Sequence, residues 1–308
     1  MIKNGSNDRG HSGEEAAFPP VSRRAILDQA LDLTIPAVPV NVRTVLALTS
    51  EGSVDARKIA DAILTDMGLT LKFFRLMNSA FFSPYRQDVI SVRFMVVLLG
   101  FDNTSKIITN VPLMNIADNG LVARIMAMSL LSSEFARQLA VSDLLEPDTA
   151  VPCAMFASLG HIVLASLMPD VYSQIWNNAK FPWSRATFKK TTGWLPKDLA
   201  SRIARAWNLP LLIRQCIQPP DDLARFKAEK QALIVTVSCL EQMMFCAALM
   251  RNSDDTQERL RNRMKKVLKI SNKKISAAMK EGLGRFEENS PVFYELLRKE
   301  GVLGNLLI

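Results

Sequence analysis

The sequence predicts an all-α fold of many helices, on the strength of its composition and its periodicity. Of the 308 residues 48% are hydrophobic and only 3 are Tyr, and the apolar runs are rich in Leu, Met and Ala, which favours helices over strands. Between residues 69 and 80, apolar side chains recur at spacings of three and four, the pattern of an amphipathic helix. A chain of this length can hold one large helical domain, or a domain of about 200 residues with an extension.

The N-terminal segment, residues 1–20, is predicted to be a disordered tail. It mixes Gly, Ser and Pro with charged residues and has no apolar core, nor the apolar stretch of a signal peptide. A short entry helix is predicted to follow over residues 21–33, and Pro36 and Pro39 mark the start of the main domain.

Two consecutive helices form the predicted centre of this domain. The first has Ile59, Ala60, Ile63 and Leu64 facing inward, with Ser53 as its expected N-cap. The second contains the apolar stripe of residues 69–80, with Thr70 as its expected cap and Pro84 as its stop.

Asn78 and Ser79 end the second helix and are open to two interpretations. They could form a recognition surface, or Asn78 could bond backbone carbonyls and fix the turn into the next element. We favour the structural interpretation.

The segments PAVP at 36–39, RLMNSAF at 75–81 and LLG at 98–100 resemble, in order and spacing, the HDOD domain, the bacterial HD-related output domain. The resemblance covers roughly residues 30 to 220 and implies a multi-helix orthogonal bundle of the HD-related type. It also implies a cytoplasmic signalling or regulatory module without catalysis, acting through a protein partner. The family-motif residues with expected structural roles are Asn78, Ser79, Phe81 and Gly100.

Residues 151–168 read as one continuous apolar helix, with Gly160 allowing a close helix contact. In the related HD phosphohydrolases this stretch carries an adjacent His and Asp that hold a metal. The resemblance puts Ala157 and Ser158 at that degenerate position, and neither can replace the pair.

The chain has only 2 His, and we expect His161 to be a helix histidine bonded to a neighbour. An HD-type hydrolase needs several His and Asp to hold metal and activate water. We therefore expect no catalytic, metal or cofactor site. The 4 Cys, without a CxxC pair, are expected to be buried thiols in a reducing cytoplasm.

Residues 232–250 contain a single charged residue, Glu241, and invite comparison with a membrane span. A carboxylate near the bilayer centre costs roughly 2.5 to 3.5 kcal/mol on insertion scales. We therefore expect a buried domain helix and no membrane span.

The net charge of +8 is confined to the C-terminal part of the chain. Residues 37–180 carry 11 Lys and Arg against 12 Asp and Glu, whereas residues 181–308 carry 23 against 13. The basic residues that form a candidate interaction surface are Arg259, Arg261, Arg263, Lys265, Lys266, Lys269, Lys273 and Lys274. They could be a solvated face, a nucleic-acid contact, or a dock for an acidic protein or membrane surface.

The predicted organisation is thus a tail at 1–20, an HDOD-like domain at 21–220, and basic C-terminal helices at 221–308 that pack on or extend that domain. Ser271 is expected to cap one of them, and Phe286, Val292, Phe293 and Leu296 to fold the C-terminus back. Two alternatives to the signalling module remain: a diverged metal-dependent phosphohydrolase, and nucleic-acid binding through the basic helix.

Overall fold

The computed structural model describes residues 22–51, 55–79, 89–114, 120–178, 184–249 and 254–307. These residues are helical with connecting turns and contain no strand, only an isolated bridge between Ala37 and Leu113, which confirms the all-α prediction. The tail at 1–20, Ser53, Phe81 and Pro84 lie outside the described residues. The helices are α1 Arg23–Asp32, α2 Pro39–Ser50, α3 Ala56–Ile63, α4 Met67–Met77, α5 Val92–Thr109, α6 Gly120–Leu139, α7 Pro147–Phe156, α8 Leu159–Leu167, α9 Pro169–Asn178, α10 Arg185–Thr192, α11 Pro196–Ala206, α12 Leu211–Ile217, α13 Ala228–Leu249, α14 Asp254–Leu268, α15 Asn272–Asn289 and α16 Pro291–Lys299.

Helix α4 is capped by Asp66, so the predicted Thr70 cap is wrong. The Asp66 carboxylate accepts hydrogen bonds from Leu69 N at 3.0 Å, Val38 N at 2.7 Å and Asn41 Nδ2 at 3.1 Å. Thr70 lies inside the helix instead, where its hydroxyl donates to the carbonyl of Ile63 at 2.9 Å. Because one buried carboxylate satisfies donors from α2 and α4, Asp66 joins the starts of both helices.

Helix α3 supports the predicted inward face but begins differently from the expectation. Ile59, Ala60 and Ile63 are buried, and Asp55 is the N-cap, with its carboxylate accepting from Arg57 N at 3.0 Å. Helices α2, α3 and α4 all pack against α5, so this N-terminal group forms one side of the core.

Helix α6 is the centre of the molecule, because it packs against α7 and α8 as well as the C-terminal helices α13, α15 and α16. Its Glu134 is buried and lies 3.4 Å from Arg137 Nε and 3.5 Å from Arg285 Nε on α15. The helices of residues 221–308 therefore share a core with those that precede them.

The C-terminal helices follow most of the sequence prediction. Ser271 caps α15 by accepting from Lys274 N at 3.3 Å, and Phe286 and Phe293 are buried. Val292 is 50% exposed, so its predicted place in the folded-back core is wrong. It lies on a different face of α16 from Phe293, because consecutive residues on a helix point about 100° apart.

Two stretches, Pro147–Leu167 and Ala228–Leu249, are long and apolar enough to cross a membrane by length and composition. Most of each is buried inside the fold, and core helices pass the same test, so they are weak evidence of a span. Glu241 within the second stretch is only 4% exposed and is paired, as described below.

Candidate functional site

The degenerate HD position lies at a break between α7 and α8. The predicted continuous helix over residues 151–168 is wrong at this point, because Ser158 has φ −89° and ψ 12°. Ala157 N bonds the carbonyl of Ala154 at 3.3 Å, and His161 N bonds that of Ser158 at 3.0 Å, both three residues apart. This tightened turn separates the two helices. Ala157 and Ser158 are both buried there.

Gly160 allows the close helix contact that the sequence predicted. A Cβ at this position would lie 1.9 Å from the carbonyl oxygen of Pro196, at the start of α11. Such a distance is far inside van der Waals contact, so only glycine fits without moving backbone. The backbones of α8 and α11 therefore touch directly.

Next to this contact lie two polar pairs, in which His161, Tyr172 and Glu241 are buried and Lys197 is partly exposed. His161 Nδ1 is 2.6 Å from the hydroxyl of Tyr172 on α9, which confirms the interpretation of His161 as a helix histidine bonded to a neighbour. The Lys197 ammonium on α11 lies 2.9 Å from Glu241 Oε2 on α13. The His161 ring also packs against Phe245, with centroids 4.5 Å apart. These contacts join α8, α9, α11 and α13 around one point.

Burial sets the protonation of these groups. Desolvation, followed by the charge of Lys197, holds the pKa of His161 well below its usual value, so the ring is neutral at pH 7. Desolvation raises the pKa of Glu241, and Lys197 opposes that shift. The pKa of Tyr172 is raised well above 10 by burial and then by Glu241, so its hydroxyl keeps its proton.

Sequence reasoning missed the pairing of Tyr172 with His161 and of Lys197 with Glu241. The available signal was the single carboxylate in the apolar run of α13, which needs a partner when buried. That signal does not identify the partner, because Lys197 lies 44 positions earlier in the chain.

The described residues do not provide the ligands of an HD metal site. Across the described part of the chain, no three His, Cys, Asp or Glu side chains converge as a metal centre requires. The four cysteines are buried thiols. Burial and the neighbouring Cys216 raise the pKa of Cys153 well above its usual value, and burial raises that of Cys239 to about 11. Thiols with such raised pKa values are poor nucleophiles and metal ligands.

Three family-motif residues shape the chain around α4 and α5. The Asn78 amide donates to the carbonyls of Phe74 at 3.1 Å and Val89 at 3.3 Å, so it ties the end of α4 to the approach to α5. Ser79 continues this turn through a bond from its N to the carbonyl of Leu76 at 3.1 Å. Gly100 has φ 73° and ψ 166°, a conformation essentially restricted to glycine, and kinks α5. The Asn78 bonds and the Gly100 kink are local features that a structural role would require.

The predicted basic surface lies on α14 and the start of α15, which are two helices rather than one. The helical conformation is interrupted between them at Lys269, which has φ 56°. A cavity of about 820 Å³ opens at this break, and the cations that line it are Arg263, Lys265, Lys266 and Lys269. All four are exposed, as are Arg259, Lys273 and Lys274.

Arg261 differs from the other basic residues. It is partly buried, and its guanidinium donates to the hydroxyl of Ser276 on α15. The structure therefore places it partly in the packing between α14 and α15, and its place on the interaction surface stays a prediction. Its position on α14 turns it toward the buried stripe of Leu260, Met264 and Leu268.

The comparison with family models identifies one domain. The HDOD domain model matches residues 35–222, which is more than half of the chain and close to the predicted limits of 21–220. No curated protein matches the chain.

Solved structures share the fold at low sequence identity. The MmoQ response regulator from Methylococcus capsulatus str. Bath is 17% identical, with 80% of this chain and 98% of that chain covered, at a TM-score of 0.57. A virulence factor from Campylobacter jejuni subsp. jejuni is 15% identical, with 88% and 99% covered, at a TM-score of 0.62. These likenesses show the HD-related helical fold. Together with the match over residues 35–222, they show that the chain belongs to the HDOD domain family.

Proposed function

We propose that this protein is a non-catalytic signalling module that acts through a protein partner in the cytoplasm. The observation that carries the proposal is the buried α7–α8 junction, where the family resemblance puts Ala157 and Ser158 at the position of a metal-binding His and Asp. An apolar methyl group and a neutral hydroxyl supply neither the charge nor the geometry for metal-assisted hydrolysis. The shared fold with a protein named a response regulator supports a role in signalling.

The contact with the partner is placed on the first half of α5. Phe94 and Val97 are three residues apart, so they lie on the same helix face, and they are 47% and 61% exposed. Large apolar side chains exposed side by side are typical of protein contact surfaces. The partner should therefore be a folded protein that presents an apolar patch of its own.

Capture from native lysate tests this proposal. The tagged full-length chain is incubated with nuclease-treated lysate at low and moderate salt, and Phe94→Ser/Val97→Ser is compared with Val141→Ser/Val292→Ser. The control pair removes two equally exposed apolar side chains elsewhere. We expect a discrete protein to bind the wild type and the control, and at least tenfold less to bind the α5 variant. Equal capture by both variants would exclude this surface.

Metal content separates the module from a diverged phosphohydrolase. The proposed module predicts far less than one divalent metal ion per chain after mild purification without chelator, measured by elemental analysis. Near-stoichiometric metal would contradict the non-catalytic proposal and favour a hydrolase.

A second candidate function is nucleic-acid binding at the cavity between α14 and α15, which four exposed cations line. Such binding would weaken linearly on a plot of log affinity against log salt, with a slope near the number of phosphates contacted. The lining contains no aromatic side chain on which bases could stack, so double-stranded probes are the better test. The Arg263→Gln/Lys266→Gln variant should reduce the slope by about 2.

A further inference from the structure

A second groove on the molecule, between α1 and α11, combines arginines with an apolar wall. It encloses about 560 Å³, and its lining includes Arg23, Leu27 and Leu31 along α1, with Arg202 and Arg205 on α11. This volume is in the range of small-molecule sites, which run from about 300 to 1,000 Å³. The proposed partner surface on α5 contributes no residue to it.

Trp194 holds two of these arginines in place. The guanidinium carbon of Arg23 lies 4.4 Å from the centre of the indole ring, and that of Arg202 lies 5.5 Å away. The indole is itself fixed, because it is 3% exposed and its Nε1 donates to the carbonyl of Arg23 at 3.1 Å. Gly193, with φ 74°, keeps the adjacent space open, since a Cβ there would lie 2.9 Å from Arg23 Cγ.

An arginine stacked on an aromatic ring keeps its N–H groups available at the edge of the guanidinium plane. Among the described residues, no carboxylate lies within ion-pair distance of Arg23, Arg202 or Arg205. The single acidic residue in the lining, Asp198, accepts instead from Gln218 Nε2 at 3.2 Å. Among the described residues, the groove therefore presents three guanidinium groups without an ion-pair partner, and stacking on Trp194 restricts two of them, those of Arg23 and Arg202.

We propose that this groove binds a small phosphoryl anion with an apolar portion, such as a nucleoside monophosphate. Paired guanidinium N–H groups match the oxygen spacing of a phosphate, and charge-assisted bidentate bonds of this kind are about twice as strong as neutral ones. Leu27 and Leu31 form the surface against which the apolar portion packs. Binding here would give the module a small-molecule input separate from its partner contact.

Calorimetric titration of the full-length protein tests the site, with AMP and inorganic pyrophosphate as probes at constant ionic strength. We expect saturable binding of AMP at one site per chain, with pyrophosphate weaker because it lacks an apolar portion. Arg202→Gln/Arg205→Gln should weaken AMP binding at least tenfold, and both residues are exposed, so the fold should persist in circular dichroism.

The matched control is Arg24→Gln, which removes one positive charge next to Arg23 but outside the groove, where the Arg24 side chain is 91% exposed. It should change the affinity less than twofold. A wild type that binds neither probe at millimolar concentration would overturn the proposal, as would equal weakening by the control. If the wild type captures its partner but does not bind AMP, the inferred groove site is wrong and the proposed function is unaffected.

Discussion

Polar side chains are buried and partnered around α8, whereas they are exposed to solvent at the α14–α15 turn. Around α8, His161, Tyr172 and Glu241 are all buried, with hydrogen-bond or ion-pair partners on other helices. At the α14–α15 turn, Arg263 and Lys266 face solvent beside an open cavity. Buried, partnered polar groups fix the packing of helices, whereas exposed cations remain available to ligands. Substitutions near α8 should therefore change stability, and substitutions at the turn should change binding.

Among the substitutions around α8, the largest effect is expected from Gly160→Ala. The added Cβ would lie 1.9 Å from a backbone oxygen of Pro196, so α8 and α11 would have to separate. We expect a loss of about 3 kcal/mol in the free energy of unfolding, or failure to fold. Urea denaturation of the variant and the wild type measures this loss.

Gly284→Ala is the matched control for this substitution. Gly284 is also helical, but a Cβ there meets nothing within 4 Å, and helix propensity should add up to about 1 kcal/mol of stability. Equal stability of Gly160→Ala and the wild type would show that the α8–α11 contact is less tight than the structure has it.

A smaller loss is expected from Asn78→Ala, since the Val89 carbonyl would lose the amide donor and the Phe74 carbonyl would keep only its bond from Asn78 N. The cost should be about 1 to 2 kcal/mol, measured by thermal unfolding. Asn103→Ala is the control, because Asn103 makes only one exposed bond within its own helix, to Leu99 at 2.9 Å. Unchanged stability of Asn78→Ala with lost partner capture would restore the interpretation of Asn78 as a recognition residue.

The sequence predicted what depends on neighbours along the chain and missed what depends on distant ones. The helical periodicity, the bond from Asn78 to Phe74 and the Ser271 cap are local, and all were predictable. Asp66 is an exception, because its capping bond from Leu69 N spans only three residues, although its bond from Val38, 28 positions away, was beyond the reach of the sequence. The packing of Arg261 against α15 depends on Ser276, on the next helix.

The pH dependence of stability should also distinguish the α8 region from the α14–α15 turn. The folded pKa of His161 lies well below its unfolded value of about 6.5, so only the unfolded chain takes up this proton as pH falls. His161 should therefore lower stability below pH 6.5, with a slope of at most about 1.4 kcal/mol per pH unit down to its folded pKa.

Unfolding measured between pH 7.5 and 5.5 checks this slope, with His161→Gln as the comparison. The variant should be less stable at pH 7.5 but should lose less stability on acidification. If stability fell with pH at the same rate in both proteins, His161 would take up its proton equally in the folded and unfolded states. That result would contradict the lowered pKa expected from its burial beside Lys197.

The smallest effect on stability is expected from Arg263→Gln/Lys266→Gln. Both side chains are exposed, and no carboxylate among the described residues lies within ion-pair distance of either. The free energy of unfolding should change by less than about 0.5 kcal/mol, whereas Met264→Ala, at the fully buried position between them, should cost about 2 to 5 kcal/mol. Urea denaturation compares the two on one helix. If the charge variant lost more than about 1 kcal/mol of unfolding free energy, these cations would belong to the packing of α14. The contrast with α8 would then fail, because the polar groups of both regions would stabilise the fold.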